Sequence, residues 1–259
     1  MKKVIELLET SFKAHKNNHD TVLIITGNEG FGKSNLLLDM VTEWERITGT
    51  VCSIDNIGLT QEQWIKAVSI AEPQVGIAPF DEAGDGLLSR DAMNDFNKDV
   101  IKMYTVIRGR CLMTILVLPS FWYLDKFFRM HRVKGMFFVY SRGRVAFWNK
   151  KQLKRMIMKG EDNQDVWAVK PSFRDGFPEY KGHLLEEYKI RKASKIAATI
   201  KAMSEKYASG EATYTERQRY VVEHLQAGET EKMIGEGLGI TQQAVNTARS
   251  GARKKGVEC

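Results

Sequence analysis

Gly27-Asn28-Glu29-Gly30-Phe31-Gly32-Lys33-Ser34 is a complete G-x-x-x-x-G-K-S stretch, and its flanks decide the fold class. An apolar run, Val22-Leu23-Ile24-Ile25, precedes it, and a helical pattern from Leu36 through Trp44 follows. Strand, glycine loop and helix in that order form a phosphate cradle. The glycines let the backbone curl so that its N–H groups point inward at phosphate oxygens, and the positive end of the next helix adds to that field. Lys33 is placed to reach β- and γ-phosphates, and Ser34 to hold Mg²⁺. The expected nucleotide-binding set is Gly27, Asn28, Glu29, Gly30, Phe31, Gly32, Lys33, Ser34 and the adjoining Asn35.

Outward from this centre, strands alternate with helices. A strand is expected near 21–26, a helix near 33–47, a short strand at Val51-Cys52-Ser53-Ile54, and a helix from Thr60 to Ala71 with Thr60 and Gln63 at capping-box spacing. Val75 to Phe80 reads as a strand ending at Asp81-Glu82, and a long helix follows at about 88–107. The almost wholly apolar stretch Cys111 to Leu118 reads as a strand buried on both faces. A helix near 121–130 leads to a hairpin whose arms flank Ser141-Arg142-Gly143. This alternation predicts an α/β protein with a mostly parallel sheet flanked by helices and the hairpin at one edge. Past Lys150 come a basic helix at 151–159, an irregular strap at 161–180, and a long helix at about 179–207. The domain division expected is 1–180, a helical linker at 181–210, and a small all-α domain at 211–259.

Asp81-Glu82 closes an apolar strand at the distance from the loop where a nucleotide-hydrolysing site needs acids. Asp81 is expected to support the metal and Glu82 to activate the attacking water; Asp85 is a weaker competitor. Pro79 fits this strand awkwardly, since proline removes a ladder donor. Ser120 reads as a γ-phosphate sensor, as the N-cap of Phe121-Trp122-Tyr123, or as both at once. Arg108 and Arg110 could reach a neighbouring subunit's nucleotide, with Arg110 the expected catalytic finger, or could be solvated or bind DNA.

The formal net charge of the 259-residue chain is +7, which favours a polyanionic partner. From Lys126 to Gly160 there are eleven Lys or Arg residues and no Asp or Glu. Such single-sign clustering suggests contact with phosphate backbones, unless the acidic stretch 81–99 neutralises it. Cys52, Cys111 and Cys259 form no C-x-x-C pair, which points to a reducing, cytoplasmic compartment with the first two as core filler. The first nine residues read as an amphipathic helix, and no run of about 18 apolar residues suggests a membrane span.

Residues 213–256 hold three short helical patterns. Thr215 and Gln218 are spaced to cap the first, Gly228 ends it, and Gly239 makes a tight turn between the second and third. Ile234, Leu238, Ile240 and Val245 are the expected small core. This pattern is that of a helix-turn-helix, and it resembles the DNA-binding domains of LuxR-type regulators and region 4 of sigma factors. Gly235 stands where those families usually have alanine, which predicts looser helix packing. Gln242, Gln243, Asn246, Arg249 and Arg253 are the expected DNA-binding residues, with amides suited to adenine edges and arginines to guanine or phosphate. A structural cap or protein-binding module is the other interpretation.

Residues 20–150 resemble the HerA–FtsK division of P-loop ATPases, in its zonular-occludens-toxin-like branch. The resemblance rests on residues 27–34, Phe80-Asp81-Glu82-Ala83, Arg108-Gly109-Arg110, Thr114 through Ser120, and Phe121 through Arg129. It implies a RecA-like fold and an oligomeric ATP-driven, Mg²⁺-dependent motor that moves double-stranded DNA, often encoded by viruses, plasmids or integrated elements. Two departures direct the reading toward DNA handling without membrane export: no membrane span, and Ser120 where FtsK-like members usually have Gln. The alternatives are an ATP-switched transcription or replication regulator acting through the tail, and a partition-type or signalling NTPase with protein partners.

Overall fold

A computed structural model describes residues 1–82, 102–104, 106–160, 162–208 and 216–253. The chain divides into two compact units, 1–195 and 196–259. The first unit holds α1 (Lys2–His15), β1 (Thr21–Gly27), α2 (Lys33–Thr48), α3 (Gln61–Ile70), β2 (Met113–Val117), α4 (Lys126–His131), β3 (Gly135–Ser141), β4 (Arg144–Asn149), α5 (Lys150–Gly160) and β5 (Phe173–Gly176). Helix α6 (Leu185–Ala208) begins in it and continues beyond it.

The sheet is mixed, in the order β2-β1-β3-β4-β5. β1 pairs in parallel with β2 and β3, while β3–β4 and β4–β5 are antiparallel. Every residue of β1 is buried because helices cover both faces. Val22 and Ile24 pack with Trp64, Ala67 and Val68 of α3 and Leu153, Met156 and Ile157 of α5. Leu23 and Ile25 pack on the opposite face with Val4 and Leu8 of α1 and Leu37, Val41 and Trp44 of α2. The continuous apolar run is thus two alternating sets, one for each layer.

Residues 76–80 add a short parallel partner outside β2. Phe80 N–H donates to Ile115 O at 2.8 Å and Ala78 N–H to Met113 O at 2.9 Å, with bridges at Ile77–Met113 and Phe80–Leu116. Pro79 is accommodated because the amides of residues 78 and 80 face β2, whereas position 79 faces away and offers its carbonyl to Gly58 N–H at 3.0 Å. The indoles of Trp44 and Trp64 donate to Val75 O (2.7 Å) and Ala78 O (3.1 Å), tying the segment to both helical layers.

Several expectations need correction. Residues 51–54 do not form a strand: Ser53 and Asn56 close a capping box around the 3-10 turn Ile54–Asn56, and Val51 is exposed. The helix expected at 121–130 is two pieces. Ser120 caps the turn Phe121–Tyr123, and Asp125 caps α4 by accepting from Phe128 N–H at 3.2 Å. The hairpin β3–β4 is not the edge, because β5 from the irregular strap pairs with β4. The first unit also extends beyond residue 180, since Tyr180, Leu184 and Tyr188 join the core beside α2. The expected helix at 88–107 lies mostly outside the described residues, as do Asp85, most of the acidic stretch, Thr215, the 209–211 link and Cys259. Among the described residues, no helix is long and apolar enough to cross a membrane.

The second unit contains α7 (Glu216–Gln226), α8 (Glu231–Leu238) and α9 (Gln242–Arg253). Val221, Ile234, Val245 and Ala248 form its core, with Leu238 and Ile240 packed against it. Gly239 terminates α8 in the left-handed region (φ 65°). At Gly235 a Cβ would lie 2.8 Å from Ile240 O, so glycine permits a closer turn here than alanine would; the expected loosening is not observed.

Candidate functional site

The loop after β1 is built by backbone that ordinary residues avoid. Gly27, Gly30 and Gly32 have φ of 139°, 74° and 95°. Gly27 also passes against β3, where a Cβ would stand 2.3 Å from Val139 O. Gly32 is the N-cap of α2 and has no side chain to bond the first amides of that helix. The Gly32 cap therefore leaves the first amides of α2 without a side-chain acceptor from that position. Lys33 folds back over the loop, its Nζ donating to Gly27 O at 2.8 Å and Asn28 O at 3.0 Å. Burial lowers its pKa, while Glu29 and Asp81 favour its charged form.

A pocket of about 430 Å³ opens here, lined by Glu29, Gly30, Gly32, Lys33, Ser34, Asn35, Asp81, Glu82, Val117, Leu118, Pro119 and Lys192. The two acids, carried on the segment outside β2, thus meet the loop carried by β1. Asp81 is buried, its backbone N–H bonded to Gly58 O at 2.9 Å. One carboxylate oxygen accepts the Glu82 amide at 3.0 Å, and the other accepts the phenol of Tyr188. Ser34 and Asp81, the two expected metal ligands, line the same pocket.

Glu82 has a left-handed backbone (φ 57°), an uncommon conformation for a residue with a side chain. Its carboxylate lies 2.5 Å from Lys192 Nζ and 2.9 Å from Lys195 Nζ. Burial opposes ionisation, but these lysines prevail and hold the Glu82 carboxyl below its ordinary pKa. Tyr188, Lys192 and Lys195 were not identified from the sequence. Their spacing places them on one helical face, yet nothing local says which surface that face meets.

The remaining expected residues lie elsewhere. The Arg110 guanidinium donates to Val68 O (2.7 Å), Ser69 O (2.9 Å) and Ala71 O (2.7 Å), closing the C-terminal end of α3. Reaching another subunit would require breaking these bonds, so in this structure Arg110 serves as a helix-end anchor; Arg108 is exposed. Ser120 acts as the N-cap, accepting from Trp122 N–H at 3.2 Å. Within the basic belt, Arg129 is buried, donating to Leu124 O at 2.8 Å under Trp122. Lys151, Lys154, Arg155 and Lys159 do project from α5, whose Leu153, Met156 and Ile157 face the core. Burial and then Lys134 and Lys154 lower the pKa of Lys150, a sign of crowded positive charge.

In the second unit Gln242, Gln243 and Asn246 are exposed along α9. Arg249 instead forms an ion pair with Glu231 of α8 at 2.7 Å; the Arg253 side chain lies outside the described residues. Compared with models of protein families, with curated proteins and with solved structures, the chain gives no match.

Proposed function

We propose that this chain is an ATP-dependent DNA motor, and that residues 27–35 hold the triphosphate of a Mg²⁺-bound nucleotide. The observation that carries the proposal is the convergence of Lys33, Ser34, Asp81 and Glu82 on one pocket, although the acids lie on a different sheet segment from the loop. The glycine loop supplies amide donors, and Lys33 supplies a positive charge whose two present acceptors are replaceable by phosphate oxygens. Ser34 and Asp81 would hold the metal, which neutralises charge developing on the transferred phosphoryl group. Glu82 orients water and accepts its proton once its carboxylate is free. A hollow of about 310 Å³ lined by Phe31, Asn35, Arg142 and Phe177 adjoins the loop and has room for a nucleoside.

The cations of α5 supply the grip on duplex backbone, and the exposed amides of α9 in a helix-turn-helix arrangement supply a base-reading surface. That surface also favours a second reading, an ATP-switched regulator of transcription or replication. Hydrolysis measured against duplex length separates the two: a motor is stimulated several-fold by longer DNA, a switch only by its own site.

The test of the proposed site is a pair of variants. Lys33→Ala is expected to abolish nucleotide binding. Glu82→Gln is expected to retain binding but to lose roughly a hundredfold or more in turnover, within the range for a positioned acid–base group. Nucleotide titration and steady-state phosphate release measure the two effects, and equal turnover in Glu82→Gln and wild type would reject Glu82 as the base.

A further inference from the structure

Tyr188, Lys192 and Lys195 follow an i, i+4, i+7 pattern on α6, so they form one stripe. All three end on the acids of the phosphate pocket. The Tyr188 phenol is buried and donates to Asp81, taking one oxygen of the acid that lines the pocket together with Ser34. Lys192 also donates to the phenol oxygen at 3.4 Å. Lys192 and Lys195 take one carboxylate oxygen of Glu82 each. On the same helix Arg191 anchors to Ile54 O at 3.0 Å and to Asp55 at 2.7 Å.

This arrangement is incompatible with the site at work. A cation bound by Asp81 needs the carboxylate oxygen that the phenol takes. A carboxylate with a lysine ammonium on each oxygen has no oxygen free to hold the attacking water. The left-handed backbone at Glu82 is a conformation held by its surroundings.

We propose that α6 is an internal brake: Tyr188 keeps the metal off Asp81 while Lys192 and Lys195 disarm Glu82, and the pocket becomes competent only when this stretch of helix lifts away. The proposal rests on the nucleotide reading above. A divalent cation carried in by a nucleoside triphosphate is the ligand that competes with the brake, because it needs the Asp81 carboxylate that the phenol occupies. Helix α6 runs on beyond Lys195 into the second unit, so the brake is covalently continuous with the module expected to hold DNA.

The test uses the full chain, Mn²⁺ as a paramagnetic probe, and a non-hydrolysable ATP analogue. Bound Mn²⁺ is read by electron paramagnetic resonance, and turnover is measured separately with ATP. Tyr188→Phe keeps the ring but removes the oxygen; Lys192→Gln combined with Lys195→Gln releases Glu82 and leaves Tyr188 in place. If the open state is about one tenth of the population, Tyr188→Phe tightens Mn²⁺ binding roughly tenfold and the double variant raises turnover by a similar factor. Two independent variants guard against one of them failing to fold. Metal affinity that is unchanged or weaker in Tyr188→Phe, or turnover that falls in the double variant, overturns the brake and makes these side chains structural or catalytic. If nucleotide binds wild type in a Lys33-dependent way but the variants match wild type, the brake alone fails. If no form of the chain binds nucleotide through Lys33, the nucleotide reading fails and the brake falls with it.

Discussion

The two halves of the pocket proposed to hold nucleotide are constructed by opposite means. The loop half is local: eight consecutive residues, three of them glycines with positive φ, bend the chain and present the start of α2. The acid half is assembled from a distance. Asp81 and Glu82 are positioned by two tryptophans through the strand before them and by a helix 107 or more residues further on. A local motif can be recognised from residue types and spacing alone. An assembled one depends on packing that no short window contains.

The sharpest challenge to this contrast is Gly27. Its Cβ would strike Val139 O at 2.3 Å and its φ of 139° suits only glycine, so even the local half relies on a distant strand there. Gly27→Ala is expected to cost about 3 kcal/mol, the sum of backbone strain and displacement of β3. Urea unfolding measures it; a loss under about 0.5 kcal/mol, the size of an ordinary surface change, would show the loop to be independent of β3.

Acid titration separates the halves next. His15 is fully buried on α1 against Trp44 of α2, the helix that carries the loop. Burial lowers its pKa to about 4. The folded state thus prefers the neutral ring, so this stability is complete above the ordinary histidine value of 6.5 and drains as pH falls from there toward 4. The expected loss is roughly 3 kcal/mol. The lysine-bound Glu82 behaves differently: its pKa is depressed, so its contribution persists until pH drops below the ordinary glutamate value of 4.5. Unfolding midpoints at pH 7, 6, 5 and 4 for wild type and His15→Phe test the order. A variant with the same slope as wild type would remove His15 from the account.

The smallest effect expected is at Arg110. Loss of three carbonyl contacts in Arg110→Ala should destabilise the fold by about 1.5 kcal/mol. An unaltered melting temperature combined with a collapse in turnover would instead restore the arginine to the catalytic set.

How much was legible follows from the same physics. Helices α2, α3 and α5 and the hairpin emerged close to their observed bounds because periodicity, caps and turn glycines are written within a few residues. β5 was not legible: Phe173-Arg174-Asp175-Gly176 has no strand-like composition, and only its pairing with β4 makes it extended. Residues 51–54 misled in the other direction, since β-prone side chains there were overruled by the Ser53–Asn56 capping box. Arg129 looked like one more cation of a basic surface, yet it packs beneath aromatic rings. A charge count cannot see burial.

By itself the sequence determined the phosphate-cradle signature, the alternation that makes an α/β unit, and the three-helix tail turning at Gly239, because each is a property of neighbouring residues. Only the tertiary structure decided that Asp81 and Glu82 reach the loop across β2, that Arg110 closes α3, and that Tyr188, Lys192 and Lys195 grip the acids. Those outcomes come from contacts between segments far apart in the chain, and their partners are selected by packing and charge after the local elements have formed.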